Sequence, residues 1–315
     1  MTDAAPLAAS HTQWTALVGL LDRLAAEDYA FVTPTPSTHR RVASRLGRAR
    51  PDDLRDIFGW GRLFAQADLD PALLATMRTA DIVVQDGPLF RSAVRVSTLD
   101  GRLHLHSARS DSANAVFLGP DSYRFVRFLD AVARQGGPRD TILDVGAGAG
   151  AGALAMAARS PGARVVASDV NPLALTYLTA NAAHSGLAVE TVQGPGPQAA
   201  AGLFDLVVAN PPYVADSEGR TYRDGGGALG ADLALDWVEA GLARLRPQGR
   251  FALYTGSPVV EGRDLLRAEL ERLAGGVGAR LAYEELDPDI FGGMRGQEAY
   301  SQVERIAAVG AVLTR

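Results

Sequence analysis

From about residue 141 onward, apolar positions fall into two alternating kinds of block. Thr141 to Val145, Ala163 to Ser168, Val189 to Gln193, Phe204 to Ala209 and Arg250 to Tyr254 are short runs rich in Val, Leu and Ile. Such runs, bounded by turn residues, predict strands buried on both faces of a parallel sheet. Between them, Ala151 to Arg159, Pro172 to about Ser185, Ala231 to Leu245 and Glu261 to Leu273 predict helices. Arg280 to Glu285 and Ile306 to Leu313 predict two last strands, antiparallel at the sheet edge. The alternation makes this an α/β unit with a Rossmann-like, seven-stranded, mostly parallel sheet.

The first 112 residues read differently and form a smaller α+β region. Helical spacing begins at Trp14, and Pro34 and Pro36 are expected to end that helix. Further helices are expected from Ser37 to about Leu46, from Asp52 to Phe58, and after Asp70, an N-cap with Pro71 at the first position. Three extended runs follow, Asp81 to Val84, Phe90 to Leu99 and Gly101 to Ser107, with turn dipeptides Asp86-Gly87 and Asp100-Gly101. Helices leading into a β-ribbon are similar in topology to a winged helix. The resulting division is 1–112, a helical and β-ribbon substrate-recognition domain, and 113–315, the α/β domain.

Composition narrows the chemistry. Cysteine is absent, which excludes disulfides, thiolate catalysis and Cys-based zinc sites. The five histidines, His11, His39, His104, His106 and His184, have no metal-ligand spacing, so no metal is expected; His104 and His106 suit surface or packing positions. No apolar run approaches 18 residues, so no membrane span is expected, and the start of the chain lacks the pattern of a secretory signal; a cytoplasmic protein is the expectation. Every basic residue is Arg. Arg40, Arg41, Arg45, Arg48 and Arg50 form a cluster suited to phosphates. Through residue 135, however, there are 16 Arg against 15 acids, and beyond it 15 against 21. A domain built mainly to hold nucleic acid has a larger basic excess, so a solvated helix face competes with that reading.

Candidate chemistry sits at strand ends, where open α/β sheets bind ligands. Phe204 to Ala209 opens into Asn210-Pro211-Pro212-Tyr213. The Asn210 side-chain carbonyl and a main-chain carbonyl beside the prolines are two acceptors that can grip both hydrogens of an –NH2 group. The Tyr213 ring can stack on a planar group carrying that amine. A plain Pro-Pro turn is the alternative for the tetrad alone. Upstream, Asp144-Val145-Gly146-Ala147-Gly148-Ala149-Gly150 is an acid followed by alternating glycines that run into a helix. Such glycines allow a tight turn and a close approach of cofactor to backbone. Asp169 ends the next strand at the distance expected of an acid that grips ribose hydroxyls.

Glycine loop, strand-end acid and tetrad, in that order, resemble the class I S-adenosylmethionine-dependent methyltransferases with an Asn-Pro-Pro-Tyr motif. Within them the chain is similar to the group holding release-factor glutamine N5-methyltransferases and N6-adenine methyltransferases, over about residues 113–315. The resemblance implies S-adenosyl-L-methionine as cofactor, bound by Asp144, Gly146, Gly148, Gly150, Asp169, Val170, Gln193 and Asn210. Asp144 and the glycines would hold the methionine part and Asp169 the ribose. Relatives often carry Asp where this chain has Gln193, so Gln193 or the backbone would meet the adenine amine. Asn210, Pro211, Pro212 and Tyr213 would be catalytic. Leu118-Gly119-Pro120-Asp121-Ser122 is similar to a segment that folds over the cofactor, and the Gly-rich stretch Glu218 to Gly230 and Asp287 to Met294 would border the substrate.

The expected reaction is in-line transfer of a methyl group to a planar amine nitrogen, without metal or covalent intermediate. A protein glutamine is the favoured acceptor, with a translation factor as partner. Adenine in RNA or DNA, reached through the N-terminal domain, is the runner-up, followed by a small-molecule amine. A non-catalytic cofactor-binding module leaves the tetrad unexplained, and so does a dinucleotide oxidoreductase.

Overall fold

Strand Phe204–Ala209 is buried at all six positions and lies in the middle of the molecule's main sheet. The computed structural model describes residues 10–47, 50–108, 114–213, 231–290 and 300–315. In chain order the helices are α1 (His11–Ala26), α2 (Pro36–Leu46), α3 (Leu54–Phe58), α4 (Pro71–Thr79), α5 (Pro120–Arg134), α6 (Ala151–Arg159), α7 (Pro172–His184), α8 (Asp232–Leu242) and α9 (Leu265–Val277). The strands are β1 (Val83–Asp86), β2 (Leu89–Ser92), β3 (Val94–Leu99), β4 (Arg102–Ser107), β5 (Thr141–Val145), β6 (Arg164–Asp169), β7 (Glu190–Gln193), β8 (Phe204–Ala209), β9 (Leu245–Val260), β10 (Arg263–Asp264), β11 (Arg280–Asp287) and β12 (Arg305–Thr314).

Seven strands run in the order β11-β12-β9-β8-β5-β6-β7. Strands β9, β8, β5, β6 and β7 are mutually parallel, and β12 is antiparallel to both β9 and β11. The seven-stranded, mostly parallel α/β sheet read from the sequence is therefore present, with the last two strands antiparallel. Two-residue β10 adds a short pairing to β9. Chain order reverses between β5 and β8, so a crevice opens at the carboxyl ends of the two central strands. One core fills the face under α8 and α9, through Phe204, Phe251, Leu266 and Leu270. Another fills the opposite face under α5, α6 and α7, through Phe125, Leu129, Leu154 and Leu178. Fully burying an aliphatic side chain of this size stabilises by roughly 1.5–3 kcal/mol.

Several boundaries differ from the sequence reading. Helix α8 stops at Leu242, and Leu245 already pairs with Phe204; Pro247–Gly249 is absorbed as a register shift before Leu206 meets Arg250. Strand β9 then runs on to Val260, because β12 pairs with it as far as Val259. Glu261 and Gly262, both at positive φ, form the turn into β10, so α9 begins at Leu265, capped by Asp264. Pro34 and Pro36 do not end α1, which stops at Ala26; Pro36 instead opens α2 behind the Thr35 cap. The Phe90 to Leu99 run divides at Ala93 into two separate hairpins, and Phe64 bridges antiparallel to Phe90.

The N-terminal elements share a core with the main sheet's helical layer: Leu17, Leu20, Leu24 and Leu105 pack in one cluster with Tyr177 and Ala180. Buried Asn181 on α7 pairs with β4 as a strand would. It accepts from Leu105 N (2.8 Å) and donates to Leu105 O (3.2 Å) and to Ala149 O (3.0 Å) beside the glycine loop. His104 and His106 are packing residues, both buried; the surface placement does not hold, because β4 is covered on both faces. Arg48, Ser112 and Ala113 with the proposed domain boundary, Glu218–Gly230 and Phe291–Met294 lie outside the described residues.

Candidate functional site

Strand register assembles the site. Val145 at the end of β5 is level with Ala209 of β8 and Ser168 of β6, and Asp169 is level with Gln193 of β7. The glycine loop, Asp169, Val170, Gln193 and Asn210 therefore emerge side by side at one edge of the sheet.

Gly146, Gly148 and Gly150 have φ values of 66, 53 and 87°, a region costly for residues with a Cβ. At Gly146 the need is also steric: a Cβ there would lie 2.4 Å from Cη2 of Trp237 on α8. Around Gly148, among the described residues, only the Phe117 carbonyl oxygen is near, 3.9 Å from such a Cβ. The loop is tied to β6 by Ala147 N donating to Ser168 O at 3.0 Å.

The two strand-end acids shape this loop. Asp144 is 1% exposed, and its Oδ2 accepts from Ala153 N at 2.6 Å in the first turn of α6. A Cβ on Gly152 would sit 2.8 Å from the same oxygen, so glycine is needed there. Burial pushes the Asp144 carboxyl up to about 8, and the charge of Asp169 adds to the shift. The sequence reading puts Asp144 on the methionine part of a cofactor; the structure turns its carboxylate to the α6 backbone. Asp169 Oδ2 accepts from Gly148 N and Oδ1 from Asn171 N, each at 2.8 Å. Burial raises its pKa, and these backbone bonds oppose the shift. Each carboxylate oxygen keeps a further lone pair for a hydroxyl donor.

Val170 is 43% exposed beside Asp169, an apolar side chain left in the crevice. Gln193 Nε2 donates to Val170 O at 3.3 Å, so the Gln193 side chain steadies that turn. Across the loop, Phe117 is 42% exposed, and Asn171 Nδ2 donates to Asn114 O at 2.9 Å, anchoring the segment that carries it. Left-handed glycines, an acid with spare lone pairs and exposed apolar side chains on either side fit S-adenosylmethionine. Open space at Gly148 and lone pairs on Asp169 are what its methionine and ribose parts require.

The tetrad divides between two tasks. Asn210 and Pro212 are partly exposed in the crevice, and Pro211 is buried. Tyr213 is 8% exposed, in a cluster with Tyr300, Val303 and Ile306. Its ring lies against Gly256 of β9, where a Cβ would come within 2.4 Å of Tyr213 Cδ2. The sequence reading gives Tyr213 a stacking face; in the structure the ring packs against Gly256. Burial, then the charge of Asp121, raises the Tyr213 hydroxyl well above its usual range. Asp121, at the start of α5, also accepts from Tyr254 Oη (3.1 Å) and Arg124 Nη1 (3.3 Å), and Arg124 pairs with Asp287.

Trp237, Tyr254 and Gly256 were not assigned roles from sequence, and Asp121 entered only as part of the segment 118–122. Gly256 lies beyond Tyr254, where the sequence reading ends the strand, so the close approach that a glycine inside a strand signals was not read there. The others depend on contacts between distant elements. Among the described residues no group of three or more His, Asp or Glu could hold a metal, and no helix is long and apolar enough to cross a membrane.

Comparison with known proteins agrees with this geometry. Residues 126–260 match the family model described as Methyltransferase small domain. The chain is 34% identical over 177 residues to the release factor glutamine methyltransferase of Deinococcus radiodurans, covering 56% of this chain and 62% of that one. It is 30% identical over 201 residues to ribosomal RNA small subunit methyltransferase C of Ectopseudomonas mendocina, covering 62% and 55%. The chain thus spans less than two thirds of these relatives' own length. The crystal structure of wild-type Trm5b from Pyrococcus abyssi superposes with a TM-score of 0.50 at 13% identity, over 84% of this chain and 70% of that one, a likeness of fold. Residues 126–260 thus match the methyltransferase small domain, and the chain resembles the release-factor glutamine methyltransferases, S-adenosylmethionine-dependent enzymes, over part of its length.

Proposed function

We propose that this chain transfers a methyl group from S-adenosyl-L-methionine to the nitrogen of a planar amino group, with a protein glutamine side chain as favoured acceptor. The observation that carries this reading is the placement of Asn210. It leaves β8 level with the glycine loop and is followed by two prolines that remove backbone donors and stiffen its position. The Asn210 side-chain carbonyl and the Pro211 carbonyl accept the two amine hydrogens and orient the nitrogen. Proximity and orientation account for most of the acceleration expected when one reactant is already strongly electrophilic. The cofactor supplies that reactant, an activated methyl group. Asp169 holds ribose hydroxyls, Val170 packs on the adenine, and Asp144 holds the loop rather than the ligand. Tyr213, through Gly256 and Asp121, fixes the end of the tetrad. Residues 1–112 present the acceptor, and residues 113–315 carry the chemistry. The relatives named for release factors support the glutamine acceptor and a translation factor as partner.

The second reading, an exocyclic amine of a nucleic-acid base, is favoured by one relative named for ribosomal RNA and by the arginines of α2. Label transfer separates the two. The protein is incubated with methyl-labelled S-adenosylmethionine and a cell extract, which is then fractionated. Label in a protein band, located on glutamine by digestion, supports the first reading; label in RNA or DNA replaces it with the second. Absence of label from every fraction, with cofactor binding intact, refutes both.

A further inference from the structure

A cavity of about 390 Å³ opens between the N-terminal region and the segment that carries Phe117. Arg40, Arg95, His39, His106, Pro34 and Phe117 line it, and its described lining contains no acid. The cavity shares a wall with the cofactor crevice, since the Phe117 carbonyl on that wall approaches Gly148.

Arg95 is the central residue. It is partly buried, and its Nε has no hydrogen-bond partner among the described residues; His39 Nε2 has none either. Burial disfavours the Arg95 cation, and among the described residues only Tyr29 opposes this. A shielded guanidinium without a carboxylate is costly, and an anion facing it removes that cost. His106 is held by Ser97 Oγ at 2.8 Å, and burial, then Arg95, keeps it neutral, so it offers polarity without charge.

The neighbouring surface continues this charge. Helix α2, PSTHRRVASRL, buries no residue and contains no acid, and Arg41 and Arg45 follow Arg40 along it. None of the three makes an ion pair among the described residues. A guanidinium fork suits phosphate oxygens, and the apolar face of Pro34 suits the sugar beside a phosphate.

We propose that this cavity binds one phosphate-bearing nucleotide unit, with its phosphate on Arg95 and Arg40, and that Arg41 and Arg45 meet the next phosphates when the unit belongs to a single strand. The assignment is independent of which amine accepts the methyl group, because it is read by binding alone.

The test uses the full chain saturated with S-adenosylhomocysteine, so that the cofactor crevice is filled. Probes are AMP, a fluorescein-labelled 12-mer oligoadenylate and, as a control, polyglutamate. The 12-mer is expected to bind in a salt-dependent manner and to be displaced by AMP. Arg95→Gln should weaken both by at least about tenfold, the scale of one charge-assisted bond. Arg40→Gln, on the exposed helix, reads the same site should Arg95→Gln fail to fold. Arg41→Gln with Arg45→Gln should leave AMP unchanged, weaken the 12-mer and reduce its salt slope by about 0.7 per lost contact. Tighter binding of the 12-mer than of AMP identifies a strand as the source, and equal binding identifies a free nucleotide; both support the site. Failure of both to bind, affinity unchanged in Arg95→Gln and Arg40→Gln, or equal affinity for polyglutamate overturns it.

Discussion

Gly146→Ala probes the cofactor loop from two directions at once. At φ 66° a Cβ costs about 1–2 kcal/mol from backbone strain. The same Cβ would sit 2.4 Å from Trp237 Cη2 and 2.9 Å from Cζ3. Overpacking of that kind costs typically 1–3 kcal/mol, so the total is roughly 2–5 kcal/mol. In domains somewhat smaller than this chain each kcal/mol lowers Tm by about 2–4 °C. The two contributions separate in a Trp237→Ala background, where the clash is gone and only the strain of about 1–2 kcal/mol remains. Urea unfolding of the parent, both single variants and the double variant measures the difference as a coupling energy. Calorimetry with S-adenosylhomocysteine should show affinity at least about tenfold weaker in Gly146→Ala, since the displaced loop carries the open position at Gly148 and small misplacements cost that much. An equal stability cost in both backgrounds would refute the Trp237 contact. A cost near zero in both would refute the need for a left-handed residue.

Further expectations follow from the same geometry. Asn210→Ala should lower methyl transfer by about a hundredfold or more while sparing cofactor affinity, on the scale of losing a preorganised hydrogen-bonding group; calorimetry and label transfer together decide it. Asp169→Ala should weaken cofactor binding and loosen the loop, because Gly148 N and Asn171 N lose their acceptor; unchanged affinity counts against the ribose role. Asp144, with a folded value near 8 against 3.8 in the open chain, holds a proton that the unfolded chain releases. Its contribution therefore falls as pH rises from about 4 to about 8. Asp144→Asn should flatten that decline in denaturation midpoints measured across this window, and an unaltered slope shows that the carboxyl is ionised when folded. Gly256→Ala should press on Tyr213 from behind and reduce turnover more than cofactor affinity; unaffected turnover would mean that the Tyr213 anchor is dispensable.

Much of the sheet was legible because each central strand is a short apolar run closed by an acid, a glycine or a proline. Phe204–Ala209 is apolar apart from Asp205, and all six positions are buried. Helix α6 matches its expected range because the glycine loop marks its start and its apolar face has helical spacing. Strand β9 was read short because its second half is fixed by pairing with β12, some fifty residues later in the chain. His104 and His106 alternate with Leu103 and Leu105 and look half exposed in sequence. Both are buried, His106 where its ring meets Ser97 of β3 and Thr33, contacts between distant parts of the chain.

By itself the sequence determined the α/β alternation, the glycine turn, the acids at two strand ends and the Asn-Pro-Pro-Tyr exit from β8. Each of these is a local property, set by hydrophobic period or by the backbone freedom of glycine and proline. Only the tertiary structure decided that the Asp144 carboxylate accepts from the α6 backbone, that the Tyr213 ring packs on Gly256 beside Asp121, and that Arg95 faces a cavity whose described lining holds no acid. Those outcomes depend on which residue of another element arrives opposite. That is fixed by strand register and helix packing across the whole chain, which no window of sequence contains.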